Sequence, residues 1–527
     1  MAEAADLIVR GGTIHAGEGS ARVHAFAVRG DRFVHAGSVD DAMALRGPAT
    51  QILDAGGMTV LPGIIDAHLH LTSLGLKLRQ VDLDGVPSFE DLIARTAAFA
   101  RNSSDEWIAG RGWDENRWPR PELPSHHALS AAIPDRAVML TRIDGHALLA
   151  NARALELAGV NATTPDPAGG RIVRDARGDP TGIMIDNAEA LVYDRAPKPT
   201  HAQLVRATLD AIAECNRWGI TAVCEPGCGD DELAAQTELL ERGEFSLRNY
   251  AMLHDDASLV ERRMRGGAVD AAYGGRLWVR AIKVYADGAL GSRGAALLEP
   301  YSDDPQNSGL VLAPRERIER VTANALRAGF QTCVHAIGDR ANRMVLDAFQ
   351  SALHRSPSGD PRLRIEHAQI IAPEDIARFK RLGIIASIQT THAVSDAPWT
   401  LARLGRERIA RAFPWRALLD AGAAVANGTD APVEPANTVR SFCAAIARGG
   451  AEPNQCMTRR EALASMTLGA ARAMFAEKVI GSIAPGKYAD FVVLDRDWMT
   501  AAPAEIERTN VLATYFAGRQ VFSATSL

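Results

Sequence analysis

Residues 62–70 read Pro62-Gly63-Ile64-Ile65-Asp66-Ala67-His68-Leu69-His70, an apolar, β-prone run that ends on two histidines one residue apart. Alternate residues of a strand face the same side, roughly 6.6–6.8 Å apart along it, so both imidazoles can turn toward one ion. Alone the pair is a weak signal in a chain with 14 histidines. Its weight comes from the pattern that this run opens. The runs Val60–His70, Ile220–Glu225, Leu247–His254, Val279–Asp287, Thr332–Ile337, Leu363–Ile370, Ile384–Thr390 and Ala424–Ala431 repeat one unit: β-branched and apolar residues, a polar or glycine turn, then an Ala- and Arg-rich helical stretch. Helical periodicity is plain in Ile318 to Leu326. Eight strands alternating with helices predict an α/β fold, a (β/α)8 barrel over residues 60–478, rather than a doubly wound sheet.

One connection is out of scale. Ile220 follows His70 by 150 positions, far beyond ordinary loop lengths, so the first strand–helix connection carries an insertion. Residues 75–200 are expected to form a subdomain with its own strands and helices, at Trp107-Ile108-Ala109-Gly110, Ala137-Val138-Met139-Leu140 and Ala147 to Leu157. Because it leaves from the rim where barrel active sites lie, it is expected to sit on the catalytic face as a lid. Outside the barrel, residues 1–59 and 479–527 are β-prone, with a hairpin signal at Gly30-Asp31. Neither end has enough strands for a core, so the two are expected to build one small composite β-sandwich.

The bulk composition narrows the function classes. The 527 residues are 47% hydrophobic and 23% charged, a globular balance. A net charge of −6 offers no basic field, which argues against a nucleic-acid partner. No apolar run is long enough for a transmembrane helix, so no membrane partner is expected. No signal peptide is readable, and six cysteines are sparse, which fits a cytoplasmic protein. A homodimer stays open.

The chemistry-bearing residues gather at strand ends. Beside His68 and His70 stand Val334-His335, Glu366-His367 and Gly428-Thr429-Asp430, each closing a predicted strand. Four imidazoles and a carboxylate on one rim suit Zn2+ or another borderline divalent metal. The fourth strand adds Ile282-Lys283-Val284-Tyr285-Ala286-Asp287. An amine buried near cations loses its proton more readily and can take up carbon dioxide, giving a carbamate able to bridge two metals. The bland alternatives are core or capping histidines and a lysine reaching out from the strand edge. Trp113, Asp114 and Trp118 line a pocket or fill the subdomain core, and His146 reaches substrate or is structural. Cys224 and Cys228 lack the second pair of a zinc ribbon. The stretch Gly288 to Gly294 lacks the Lys-Ser/Thr ending of a phosphate loop and is expected to pass close to substrate.

With these residues in view, the chain resembles the amidohydrolase superfamily of metal-dependent hydrolases. The run Pro62 to His70 looks like its opening motif, and Ser482-Ile483-Ala484-Pro485-Gly486-Lys487-Tyr488-Ala489-Asp490-Phe491 like its closing one. Gly110-Arg111-Gly112-Trp113-Asp114-Glu115, Arg142-Ile143-Asp144-Gly145-His146, the stretch from Lys283 through Gly291-Ser292-Arg293 and His335-Ala336-Ile337-Gly338-Asp339 are similar to the YtcJ-like, amidohydrolase-3 branch, which includes N-substituted formamide deformylases. The resemblance implies one or two divalent ions: His68 and His70 on the more buried, His335 and His367 on the more exposed, carboxylated Lys283 as the bridge. It implies that Asp430 binds metal and shuttles the proton, with Gln389 and His392 near the site. Where relatives more often place an aspartate turn, this chain has Cys224-Glu225-Pro226-Gly227, leaving Glu225 as an extra ligand or a pocket acid. Asp287 joins the candidates for substrate contact.

The function expected is hydrolysis of a small-molecule amide, N-acyl or N-formyl, by metal-activated hydroxide with Asp430 as proton shuttle. The alternatives are a mononuclear deaminase or cyclic-amide hydrolase on the same barrel, and a non-catalytic scaffold that lost its ligands.

Overall fold

The strands Ile64–Asp66, Ile220–Cys228, Arg248–His254, Leu277–Tyr285, Gln331–Ala336, Arg364–His367, Ile385–Ile388 and Ala424–Asn427 pair in that order, each parallel to the next. They are taken from a computed structural model that describes residues 3–17, 22–103, 106–356, 359–448 and 453–524. Backbone bonds draw the last strand to the first: Ala67 N–H donates to Asn427 O at 3.2 Å, Asp430 N–H to His68 O at 2.7 Å, and His70 N–H to Ala431 O at 2.8 Å. The ring is thereby nearly closed, and the expected α/β barrel forms. Its strands are apolar along their length because side chains inside the ring and under the helices are both buried; all six residues of Gln331–Ala336 are. The helix Asp339–Arg355 shows the outer layer, burying Val345, Leu346 and Phe349 on one stripe.

The first predicted run, Val60–His70, is divided. Thr59–Pro62 belongs to the terminal sheet, antiparallel to Phe491–Leu494, and only Ile64–Asp66 joins the barrel. Gly63 is the crossing point: a Cβ there would stand 2.2 Å from Thr221 Oγ1, so no larger residue fits between the two sheets. His68 and His70 lie just past the strand rather than on it, in the turn into the helix Leu71–Lys77.

That helix and His201–Arg217 form the stem of the insertion, packed so closely that a Cβ on Gly75 would meet Ala207 O at 1.8 Å. Between them a six-stranded mixed sheet runs in the order Gly170–Arg174, Pro180–Asp186, Ala147–Ala150, Ala137–Arg142, Trp107–Trp113, Val81–Asp82. The two chain ends meet in one eight-stranded sheet, branched at Leu7–Ile14, whose arms face each other. Phe26 from the N-terminal arm packs edge-on to Phe491 from the C-terminal one at 5.1 Å. Residues 1–2, 18–21 and 525–527 of that composite unit lie outside the described residues. Among the described residues no helix is long and apolar enough to cross a membrane.

Candidate active site

His68 is fixed from behind. Its Nδ1 lies 2.5 Å from Glu366 Oε2, and Glu366 in turn accepts from Arg364 Nε at 2.7 Å and Nη2 at 3.0 Å, all fully buried. With Nδ1 committed to a carboxylate, Nε2 faces the barrel mouth, the arrangement that orients a metal-binding imidazole. There it stands 3.5 Å from Asp430 Oδ1 and 3.4 Å from Lys283 Nζ. Asp66 holds the backbone, accepting from His68 N–H at 3.1 Å and from Thr429 N–H and Oγ1 at 3.0 and 2.6 Å. Gly428 permits this approach, because a Cβ on it would lie 2.3 Å from His68 N.

The other candidates converge on the same point. One ligand atom each from His68, His367 and Asp430 lies within 4.8 Å of the other two. His70 Nε2 is 3.3 Å from Asp430 Oδ1. The His335 ring is 4.5 Å from that of His367, but its Nε2 is turned toward Gly288 O at 3.5 Å. His367 and Asp430 both hold positive φ, 73° and 61°, a backbone region costly for residues with a Cβ and concentrated at functional sites.

Electrostatics suit ligation. Burial depresses the pKa of His68, His335 and His367 well below the usual value, helped at His68 by Lys283 and at the other two by neighbouring imidazoles. They are therefore neutral, the form that binds metal. For Asp430 burial pushes the pKa up, but the imidazoles of His70, His68 and His392 outweigh it and keep the carboxylate ionised. Burial brings Lys283 down to about 8 against the pull of Glu366 and Asp430. Asp430 Oδ1, His367 Nδ1 and His392 Nε2 are buried without a hydrogen-bond partner. A divalent cation among these N and O donors satisfies orphaned atoms that nothing else among the described residues does, so the residues fit a metal.

The remaining predicted residues divide. His392 is at the site, its Nε2 3.7 Å from Asp430 Oδ2. His146 is there as well, its ring 5.2 Å from that of His335 and its Nδ1 2.7 Å from Asp186 Oδ1. Burial lowers its pKa, and the bond to Asp186 with the surrounding carboxylates more than reverses this. Asp114 borders the cavity, but its carboxylate is taken up by Arg142 at 2.5 Å.

Four do not reach the cavity. Trp113 is fully buried in the insertion's core, donating to Leu140 O at 2.7 Å and stacked on Trp118. Glu225 is neither ligand nor pocket acid: it accepts from Thr72 N–H, Gln236 and Asn249, at 2.9, 2.7 and 2.7 Å. Asp287 gathers the backbone N–H groups of Ala296, Ile337 and Gly338 at 2.8, 3.0 and 2.8 Å, and burial lifts its pKa to about 7. Gln389 is buried behind the rim, donating to Ser387 O at 3.3 Å. The stretch Gly288 to Gly294 does border the cavity, through Ala289, Leu290 and Gly291, while Gly288 and Gly294 themselves serve the packing of the insertion. A Cβ on either would stand 2.6 Å from the Asp186 carboxylate, so they seat that side chain of the insertion against the barrel. Sequence reasoning missed Glu366, Arg364 and Asp66; the signal available was an Arg-x-Glu-His string ending a ligand strand.

All this surrounds a cavity of about 600 Å3, within the range of small-molecule sites. The barrel supplies His70, Lys283, His335, His367 and Asp430; the insertion supplies Arg111, Asp114, Asp144 and His146.

Comparison with known proteins gives a consistent picture. The chain matches the amidohydrolase family over residues 51–522. YtcJ of Bacillus subtilis (strain 168) is 33% identical over 493 residues, 90% of this chain and 91% of its own. The N-substituted formamide deformylase of Arthrobacter pascens is 28% identical over 525 residues, 94% of each chain. Among solved structures, an uncharacterised metal-dependent hydrolase of Pyrococcus furiosus superimposes with a TM-score of 0.75 at 30% identity, covering 94% of this chain and 100% of that one.

Proposed function

Since the chain belongs to the amidohydrolase family, we propose that it is a metal-dependent hydrolase cleaving the carbon–nitrogen bond of a small N-acyl or N-formyl amide. The observation that carries this reading is the meeting of His68, His367 and Asp430 within 4.8 Å, with His367 and Asp430 lining the cavity and His68 buried behind them. A divalent ion held there by these residues, with His70, His335 and Lys283 beside them, supplies Lewis-acid polarisation of a carbonyl and acidifies water. The similarity to a formamide deformylase supports an amide over other hydrolysable bonds.

The chain's own groups do the rest. Asp430, ionised and with His70 Nε2 3.3 Å from its Oδ1, takes a proton from the attacking water and delivers it to the amine nitrogen as the C–N bond breaks. His392, 3.7 Å away, steadies that carboxylate. Lys283, with its pKa near 8, is partly unprotonated at neutral pH. Its attack on carbon dioxide forms a carbamate and releases a proton, exchanging a buried positive charge beside three imidazoles for an anionic ligand. The insertion forms one side of the cavity, and a site of about 600 Å3 suits a compact amide better than a polymer. The tight grouping of only three ligand atoms is what favours the mononuclear alternative, in which one ion suffices and Lys283 stays an amine.

The test is elemental analysis joined to assay of metal-stripped and metal-restored protein on N-formyl, N-acetyl, aryl and cyclic amides. One to two equivalents of divalent metal, with hydrolysis that disappears and returns with them, is the expected result. Full activity in stringently metal-free protein, or no hydrolysis of any amide by the loaded protein, overturns the reading.

A further inference from the structure

Four guanidinium groups border the cavity, and three are held by carboxylates. Arg142 meets Asp114, Glu115 and Asp144 at 2.5, 2.8 and 2.6 Å. Arg117 lies 3.4 Å from both Asp84 and Asp114, and Arg317 lies 2.8 Å from Asp255. Arg111 is different. Among the described residues no carboxylate oxygen comes within 4.0 Å of it. Its hydrogen bond is a single long one, Nη2 to Ile143 O at 3.3 Å, and its Nε is buried with no partner.

A guanidinium carries five donors in a planar fork that matches the two oxygens of a carboxylate. In Arg142 that fork is saturated; in Arg111 it is nearly empty. The placement is nonetheless specific. Gly145, at φ 75°, leaves the room Arg111 occupies, because a Cβ there would stand 2.8 Å from Nη2. Glu189 shares this wall and does not neutralise it. Its Oε1 is buried without a partner among the described residues, burial beside Asp186 and Asp144 pushes its pKa up against the pull of Arg111, and its carboxylate forms no ion pair within 4.0 Å of the guanidinium. Asp144 feels the charge of Arg111 from beyond ion-pair distance, so this half-buried cation is screened but not directly paired, a state a ligand anion improves.

We propose that Arg111 is the docking point for an anionic group, a carboxylate, on the amide this cavity accepts. The inference rests on the amide-hydrolase reading and narrows its substrate class. Arg111 belongs to the insertion strand Trp107–Trp113 while the candidate metal ligands belong to the barrel, so the anion and the bond to be cleaved are held by different parts of the chain. The insertion thereby selects by charge as well as by size.

The experiment uses the metal-loaded full-length protein and a series of formamido-alkyl carboxylates of increasing chain length, each paired with its uncharged primary amide. Binding is measured by calorimetry and hydrolysis in parallel. At the length that spans the cavity, the acid is expected to bind roughly 10- to 100-fold tighter than its neutral partner, the worth of a charge-assisted contact. Arg111→Gln should collapse that ratio to near one, and Arg111→Lys should restore part of it. Equal binding of acid and neutral amide by the wild type overturns the proposal. So does an Arg111→Gln protein with an undiminished ratio, or one that weakens both partners equally, as a mere counter-charge to Asp144 would. A charge preference without hydrolysis of any amide would sink the hydrolase reading and leave the anion site standing. Hydrolysis without the preference does the reverse.

Discussion

Among the candidate ligands, the Glu366 carboxylate forms a hydrogen bond with His68, and the direction of that imidazole depends on it. Its two oxygens divide between Arg364 and His68 Nδ1, so the proton of the ring is fixed on the far side from the cavity. Glu366→Gln keeps the shape but replaces an anionic acceptor by an amide that cannot serve both neighbours. Metal affinity is expected to fall about 10- to 100-fold, as when other carboxylates behind metal-bound histidines are lost. Titration with a chelator-buffered metal checks it, and unchanged affinity assigns Glu366 to structure alone. At this scale the sequence was legible where a rare residue type ends a strand or follows just past it, as at His335, His367 and Asp430. It was silent on Glu366 and Asp66, because their partners lie 298 and 363 positions away and nothing local marks a carboxylate as a support rather than a ligand. Trp113 and Glu225 misled for the same reason: an aromatic or acidic residue near a motif reads alike whether it faces the cavity or the core.

Among elements, the insertion is where position and contents came apart. Its point of departure, behind His70, was readable from spacing alone, and it brings Arg111 and His146 to the cavity. Which side of the strand Trp107–Trp113 faces the barrel was not, since Arg111 and Trp113 share strand parity while Gly112, at φ 117°, disturbs the alternation between them. The register shift against Ala137–Arg142 falls between those two residues, leaving Arg111 at the cavity and Trp113 in the core. Trp113→Ala therefore removes a buried indole stacked on Trp118 and its hydrogen bond to Leu140 O. A cost of about 3–5 kcal/mol is expected, felt by the insertion rather than by substrate ranking. Limited proteolysis should cut first within residues 78–199, with bound metal retained. Stability equal to wild type together with a changed order of substrates would return Trp113 to the cavity wall.

The whole molecule is tied together by a buried ion pair that the closing signature explains. Asp490 accepts from Arg248 Nε and Nη2 at 2.6 and 2.9 Å and from Ala517 N–H at 2.8 Å, so one carboxylate joins the third barrel strand to the terminal sheet. Arg248 also donates to Gly275 O at 2.6 Å and lies over the Tyr488 ring at 3.7 Å. The Tyr488-Ala489-Asp490 string that looked like a family signature is thus a clamp between two folding units whose sheets part at Gly63. Removing one partner of a buried pair strands the other charge, at a cost of about 3–5 kcal/mol, whereas replacing both by apolar residues is often neutral. Asp490→Ala is expected to speed amide exchange in Thr59–Pro62 and Phe491–Leu494 by about 10²- to 10⁴-fold, that cost divided by about 1.4 kcal/mol per decade. Exchange in Gln331–Ala336, inside the barrel, should change far less. The double variant Arg248→Met with Asp490→Leu should recover most of the protection, because no bare charge is left behind. Equal acceleration in both regions would mean that sheet and barrel open as one unit, and the pair would then be a contribution to the whole rather than a clamp between parts.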